Sequence, residues 1–119
     1  MLILFGKKLE DTKTVPYGLT KIFGVGLANA KEICMHLNIP KTIKISELTE
    51  NQKLNISTYI KQHFSVELKL KQQVSDNIEN FIVINSVKGF RHRTKLPVRG
   101  QRTHSNAKTC KRVKNFLAR

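Results

Sequence analysis

Several features typical of secreted, membrane-spanning and catalytic proteins are scarce in this sequence. It has only two cysteines, Cys34 and Cys110, too few for the disulfide framework of a small secreted domain. We therefore predict two reduced thiols. No segment approaches the roughly 18 consecutive apolar residues that a membrane-spanning helix needs. The apolar stretch at residues 2–5 is also too short for the apolar region of a secretory signal.

Motifs for catalysis and for cofactor binding are missing as well. No glycine loop continues into Gly-Lys-Ser/Thr, and the third glycine of a dinucleotide-binding fingerprint is absent. Cys34 and His36 are two positions apart on a predicted helix and do not face one metal site, while His92 and His104 lie among cations. Cys110 beside two cations remains as an alternative nucleophile. We predict a protein that is not an enzyme and that holds no metal and no cofactor.

Acidic residues are absent from the C-terminal part of the chain. Residues 1–84 contain 11 Lys and 8 acidic residues, whereas residues 85–119 contain 11 Lys and Arg residues and no acid. All six Arg lie in this second part. A guanidinium group can grip phosphate with two hydrogen bonds and can stack on bases. This composition predicts a polyanionic partner.

A basic segment can also be a solvated tail without a fixed partner. Here the cations alternate with Gly89, Pro97 and Gly100 and with small polar residues such as Thr103 and Asn106. Glycine lets a backbone approach a ligand closely, and small hydroxyl and amide groups donate to phosphate and sugar oxygens. The interleaving therefore favours nucleic-acid binding over a bare tail.

Apolar spacing predicts a helical N-terminal domain. Residues 16–22 predict a short first helix, and residues 27–37 predict an amphipathic helix. Between them, Gly24, Val25 and Gly26 form a predicted turn. The backbone N–H groups of this turn are candidates for contact with a nucleic-acid phosphate, as in helix–hairpin–helix modules.

Two more helices complete the predicted head, which spans residues 1–85. Thr49 and Gln52 form a capping box for the third helix, whose expected buried side chains are Leu54, Ile56, Tyr59, Ile60 and Phe64. The longest helix is predicted over residues 66–85, with an apolar stripe of Leu70, Val74, Ile78, Phe81 and Ile82.

Periodicity fades beyond that helix, so residues 86–119 are predicted to form an extended, irregular basic arm. Ser105 is expected to cap one last helix reaching to about Asn115. The arm has few apolar side chains, and we expect it to become ordered on its partner.

A run in the arm resembles the signature of a known family. It reads Lys88-Gly89-Phe90-Arg91-His92-Arg93, then Leu96-Pro97-Val98-Arg99-Gly100-Gln101-Arg102-Thr103, then Asn106-Ala107-Lys108-Thr109. It is similar to the run of the small-subunit ribosomal protein family S-thirteen, in which Arg is usual at the positions of Lys88 and Lys108. Residues 19–26 and 45–48 resemble the two head motifs of the family. The resemblance covers nearly the whole chain.

The resemblance implies a mainly α fold, with a small helix–two-turns–helix head, a long helical hairpin and an extended basic C-terminal arm. It implies a structural place in the head of the small ribosomal subunit and contact with small-subunit rRNA. The implied partners also include ribosomal protein S-nineteen, large-subunit protein L-five across the subunit interface, and peptidyl-site tRNA. No contact with a membrane is expected.

The expected RNA-binding residues are the cations and hydrogen-bonding side chains of the arm. They are Lys88, Arg91, His92, Arg93, Lys95, Arg99, Gln101, Arg102, Thr103, His104, Asn106, Lys108, Lys111, Arg112 and Lys114.

The sequence also suggests a cellular origin. Its abundance of Lys, Asn and Ile suggests an AT-rich gene, and it shows no Arg- and Ser-rich presequence. We expect a protein that is encoded and used in a mitochondrion, with a bacterial cytoplasm or a plastid as alternatives.

Two other functions compete with a ribosomal one. A helix–two-turns–helix module with a basic arm also occurs in DNA-binding and DNA-repair proteins, but no acid near the arm is available for catalysis. A basic amphipathic helix would favour an anionic membrane, but Gly and Pro interrupt the arm.

Overall fold

The computed structural model describes residues 2–112 and is mainly helical, as the sequence predicts. The chain forms two compact units: a head unit that ends at Leu70 and a basic unit that begins at Lys71. This division by packing falls inside the longest helix. The functional division into residues 1–85 and 86–119 follows charge instead, and it stays a prediction.

The helices and strands follow one another with short connections. The head unit contains strands β1 (Leu2–Leu4) and β2 (Lys7–Leu9), helices α1 (Val15–Leu19), α2 (Leu27–His36) and α3 (Glu50–His63), and a 3₁₀ turn at Ile45–Glu47. Helix α4 (Glu67–Val83) crosses the division, and the basic unit continues with α5 (Val87–Arg93) and α6 (Lys108–Arg112).

The N-terminal hairpin was not predicted. Leu2 pairs with Leu9 in antiparallel register across the two-residue loop Phe5-Gly6, and both loop residues have positive φ, 49° and 75°. Such a loop matches the twist of the strands it joins. Leu2, Leu4 and Leu9 are buried, so the hairpin adds three leucines to the core.

The first two helices lie close to their predicted positions. Helix α1 carries a proline in its first turn and is shorter than predicted, ending at Leu19. Helix α2 ends where Asn38 adopts a left-handed conformation, with φ of 52°. There the Ile39 N–H donates to the Cys34 carbonyl oxygen at 2.8 Å, and the Asn38 N–H donates to that of Met35 at 3.2 Å. These two bonds form a Schellman cap.

Helix α3 begins with the predicted capping box. The Thr49 N–H donates to Gln52 Oε1 at 3.0 Å, and the Gln52 N–H donates to Thr49 Oγ1 at 3.4 Å. Ile56 and Ile60 are fully buried, but Leu54 is 65% exposed, so its predicted burial is wrong. Leu54 precedes Ile56 by only two positions, and such neighbours point to different sides of a helix.

The head core joins the helices through aliphatic side chains. A Cβ at Gly18 would lie 2.0 Å from Ile45 Cδ1, so glycine allows α1 to approach the 3₁₀ turn. Each fully buried Ile or Leu contributes roughly 1.5–3 kcal/mol. The largest fully buried side chains are Leu9, Val15, Leu19, Ile22, Ile33, Cys34, Ile45, Ile56 and Ile60.

Helix α4 has no fully buried residue, and its predicted apolar stripe is half-buried apart from Phe81, which is 40% exposed. The helix ends at Val83 because Asn85 is left-handed, with φ of 53°. The prediction of irregular structure from residue 86 onwards is wrong for residues 87–93, which form α5.

The last helix begins later than predicted. Ser105 does not cap it, because Ser105 lies in a turn with φ of 62° and α6 begins only at Lys108. The predicted end near Asn115 lies outside the described residues.

Candidate nucleic-acid interface

Ser86 builds a tight corner between α4 and α5. Its hydroxyl donates to the Phe81 carbonyl oxygen at 2.8 Å and accepts from the Gly89 N–H at 3.1 Å. It thereby caps both helices at once. A Cβ at Gly89 would lie 2.0 Å from the Phe81 oxygen, so only glycine lets α5 pack this closely on α4.

The corner presents the first group of predicted RNA-binding residues, all on α5. Lys88 Nζ lies 5.9 Å from the centre of the Phe81 ring, within cation–π range. Arg91, His92 and Arg93 follow in the last helical turn, where the negative end of the helix dipole favours cations. Arg93 is exposed, while Arg91 and His92 are half-buried.

Lys95 ends α5 in a left-handed conformation, with φ of 57°. The Leu96 N–H donates to the Arg91 carbonyl oxygen at 2.9 Å, and the Lys95 N–H donates to that of His92 at 3.2 Å, which forms another Schellman cap. Arg91 Nε also donates to the Pro97 carbonyl oxygen. Arg91 therefore ties the helix to the segment that follows it.

The remaining predicted residues lie on turns and on α6. Gly100 and Ser105 have positive φ, and Ala107 is buried at 3% exposure. The exposed candidates in this part are Arg99, Gln101, Arg102, Thr103, His104, Asn106, Lys108, Lys111 and Arg112. Lys114 lies outside the described residues.

In the basic unit, the Lys and Arg residues described between positions 88 and 112 form no ion pair with a carboxylate. Its two acids are Asp76, which accepts from the Gln72 side chain at 2.8 Å, and Glu79. Among the residues described up to 112, neither acid forms an ion pair with a Lys or Arg between residues 88 and 112. The surface thus presents uncompensated positive charge, which is what a polyanion requires.

The other predicted contact lies at the glycine turn before α2. Gly24 has φ of 104°, and a Cβ there would lie 2.8 Å from Leu70 Cδ2. Val25 is buried, whereas a Cβ at Gly26 would meet open space. Gly26 directly precedes α2, so the open part of this turn is the N-terminus of that helix.

Glu67 fastens the same turn. The Phe23 N–H donates to Glu67 Oε1 and the Glu67 N–H donates to the Phe23 carbonyl oxygen, both at 2.9 Å. The carboxylate uses one N–H group of the turn and adds a negative charge that an incoming phosphate would meet. The phosphate contact at Gly24, Val25 and Gly26 therefore stays a prediction.

A cluster of three rings lies elsewhere in the head unit. The Tyr59 ring centre is 5.5 Å from that of His36 and 4.4 Å from that of His63, with interplanar angles of 28° and 37°. The sequence analysis considered His36 only as a metal ligand, and it did not predict the cluster. The four-residue spacing of Tyr59 and His63 on one helix is the signal that was available.

The two thiols differ in their surroundings. Burial raises the pKa of the Cys34 thiol, whereas Cys110 is partly exposed. Within residues 2–112, no three His, Cys, Asp or Glu side chains are grouped to hold a metal ion. None of the helices described there combines the length and apolar character needed to cross a bilayer.

The sequence profile of the family described as "Ribosomal protein S13/S18" matches residues 3–109. The chain belongs to the ribosomal protein S13/S18 family. It is a ribosomal protein of the small subunit. The match extends over the glycine turn and over the basic arm up to residue 109, and these are the two features on which the alternative of a DNA-binding module rested.

Individual S13 relatives align almost end to end. The chain is 40% identical over 114 residues to small ribosomal subunit protein uS13m of Marchantia polymorpha, covering 96% of this chain and 95% of the relative. It is 42% identical over 112 residues to uS13m of Daucus carota, covering 94% and 97%. It is 40% identical over 111 residues to uS13 of Wolbachia sp. subsp. Brugia malayi, covering 93% and 91%. Mitochondrial and bacterial members of the family both match.

Proposed function

We propose that the chain is a non-catalytic constituent of a mitochondrial small ribosomal subunit and that it binds small-subunit rRNA through residues 86–119. The observation that carries the proposal is the uncompensated positive surface of the basic unit. Exposed arginines at positions 93, 99, 102 and 112 follow a corner that two helix caps hold in place. Guanidinium groups on such a surface suit phosphate recognition.

The arm is proposed to contact the RNA backbone more than its base edges. Gly100 is exposed with φ of 69°, and the side chains of Gln101, Thr103 and Asn106 that follow it are exposed as well. These are donors and acceptors of the type that fix register on phosphate and sugar. Affinity for RNA is therefore expected to fall steeply as salt rises, because phosphate contacts release counterions.

Sedimentation tests the ribosomal part of the proposal. The tagged chain, expressed at native level, is expected to co-sediment with small subunits and with assembled ribosomes in a gradient. High salt is expected to release part of it. Its presence in free fractions alone would contradict the proposal.

A mitochondrial site of action is supported by the Marchantia and carrot relatives, both of them mitochondrial uS13 proteins. Fractionation of the source cells tests it. Enrichment of the chain with mitochondrial ribosomes is expected, and enrichment with cytoplasmic or plastid ribosomes would contradict this part.

We also propose the protein partners and the tRNA contact that the family resemblance implies. These are ribosomal protein S-nineteen, large-subunit protein L-five and peptidyl-site tRNA. The corner between α4 and α5 supports a protein contact, because a cavity of about 340 Å³ opens there beside exposed Val87 and Phe90. Cross-linking within intact ribosomes, followed by mass spectrometry, tests each partner separately.

A further inference from the structure

We infer that the head unit holds a second RNA contact, a stacking site for an unpaired base formed by His36, Tyr59 and His63. The inference rests on the proposed binding of rRNA and adds a site to it that lies outside the basic arm. The ring distances are those of stacked or tilted aromatic pairs, 5.5 Å and 4.4 Å between centres.

The ends of two helices bring the rings together. His36 is the last residue of α2 and His63 is the last residue of α3, while Tyr59 lies one turn before His63. Two of the four histidines and one of the two tyrosines of the chain thus meet at one place. This concentration is notable in a sequence with only 7% aromatic residues.

The cluster packs against the head core on one side and is exposed to solvent on the other. Tyr59 and Phe64 pack against the head core, with their ring centres 6.4 Å apart. By contrast, the His36 side chain is 54% exposed, and His63 is exposed as well. An aromatic ring that packs against the core on one side and is exposed on the other loses little conformational entropy when a ligand stacks on it.

The Glu32 carboxylate beside His36 disfavours a phosphate on that ring, although Lys61 lies in the last turn of α3, and the exposed ring faces suit the flat face of a base. Glu32 Oε1 lies 3.8 Å from His36 Nε2, and both helices direct the negative ends of their dipoles here. Histidine rings stack on bases in RNA-binding proteins, and every base offers such a face. An apolar protein segment fits less well, because the imidazole nitrogens stay polar.

Paired RNAs with and without bases test the inference on the full chain. One probe is oligouridine of about 40 nucleotides, several times longer than the single-strand site of one small domain. The other is an abasic strand of equal length, which keeps the phosphates. The double variant His36→Ala/His63→Ala is expected to bind oligouridine at least about five-fold more weakly than the wild-type chain does. Its affinity for the abasic strand is expected to equal that of the wild-type chain.

Two control variants separate stacking from folding. His36→Phe/His63→Phe keeps flat rings and is expected to restore binding to oligouridine. Tyr17→Ala removes an aromatic side chain of the head unit that is 60% exposed and lies outside the cluster, so it is expected to change neither affinity.

The outcomes are distinct. An equal loss on both strands, or no loss on either, would overturn the stacking site while leaving RNA binding by the arm intact. If the wild-type chain binds neither strand, the proposed RNA binding itself fails, and the stacking site fails with it.

Discussion

In the head unit, several acidic side chains lie beside lysines, whereas the lysines and arginines described between residues 88 and 112 form no ion pair with a carboxylate. Lys13 is 3.2 Å from Glu10, and Lys53 is 2.6 Å from Glu50. The hydrogen bonds from these lysines lower the pKa of both carboxyl groups. Ion pairs thus neutralise part of the charge of the head unit, whereas none of them involves the Lys and Arg residues described between 88 and 112.

The two units also differ in how they are held together. The head unit buries a continuous set of aliphatic side chains, but α4 and α5 contain only one buried residue, Gly89. In the basic unit, helix caps and close backbone contacts do much of the work that side-chain burial does in the head. The aliphatic residues that hold the head together and the arm residues proposed to bind RNA are therefore different, and the two sets can be changed separately.

The largest expected effect concerns the head core. Ile60→Ala removes a fully buried side chain and is expected to lower the free energy of unfolding by about 2–5 kcal/mol. Leu54→Ala on the same helix, at a position that is 65% exposed, is expected to cost less than about 1 kcal/mol. Denaturant unfolding measures both. Similar losses would show that α3 packs through a different face.

The next effect tests the division of charge. Replacing Arg93, Arg99, Arg102 and Arg112 with Ala is expected to weaken RNA binding on the order of 100-fold at moderate salt and to flatten its salt dependence, since each phosphate contact contributes about 0.7–0.9 to the slope. A filter-binding titration at several salt concentrations measures both quantities.

The matched control removes the same charge from exposed positions of the head unit, by changing Lys7, Lys8, Lys31 and Lys41 to Ala. We expect this variant to keep most of the affinity. If both sets lose affinity equally, net charge rather than the arm governs binding.

A smaller effect is expected at the corner of the basic unit. Gly89→Ala places a Cβ against the Phe81 oxygen and is expected to destabilise the packing of α5 by about 1–3 kcal/mol. Gly26→Ala meets open space and is the control, with a cost below about 1 kcal/mol. Thermal unfolding followed by circular dichroism compares them. An unchanged Gly89→Ala protein would mean that the two helices separate at no cost.

The smallest effect is a difference in rate between the two thiols. Cys110 is expected to react with iodoacetamide well before Cys34, because Cys34 is buried and its pKa is raised. Peptide mapping after timed labelling measures each rate. The difference in rate between the two thiols should disappear when the protein is unfolded. Rapid labelling of Cys34 in the folded protein would contradict its burial in the core.

The sequence predicted those parts of the fold that follow from spacing and local chemistry. The helix over 27–37, the Thr49–Gln52 capping box and the grouping of every Arg after residue 90 are all visible without a structure. The signature run led to the family, and the profile match confirmed it. The individual RNA-binding residues stay predictions.

The features that the sequence did not predict depend on contacts between residues that are far apart in the chain or on close contacts between backbone atoms. Gly89 was expected to interrupt structure, yet it lies inside α5 because its missing side chain admits the Phe81 carbonyl group. Glu67 accepts a hydrogen bond from the Phe23 N–H, 44 residues away, and no local sequence pattern predicts that bond. The meeting of His36 with Tyr59 likewise requires the packing of α2 on α3.

The corner at Ser86 and Gly89 restricts which sequence changes this part of the chain can accept. Because backbone atoms of Phe81 and Ile82 occupy the space that a side chain at Gly89 would need, an insertion or a larger residue at this corner would move Arg91 and Arg93 relative to α4. The corner therefore fixes where the basic segment begins relative to α4. Sequence change near the corner is therefore expected to exchange side chains at constant spacing rather than to change the length of the segment.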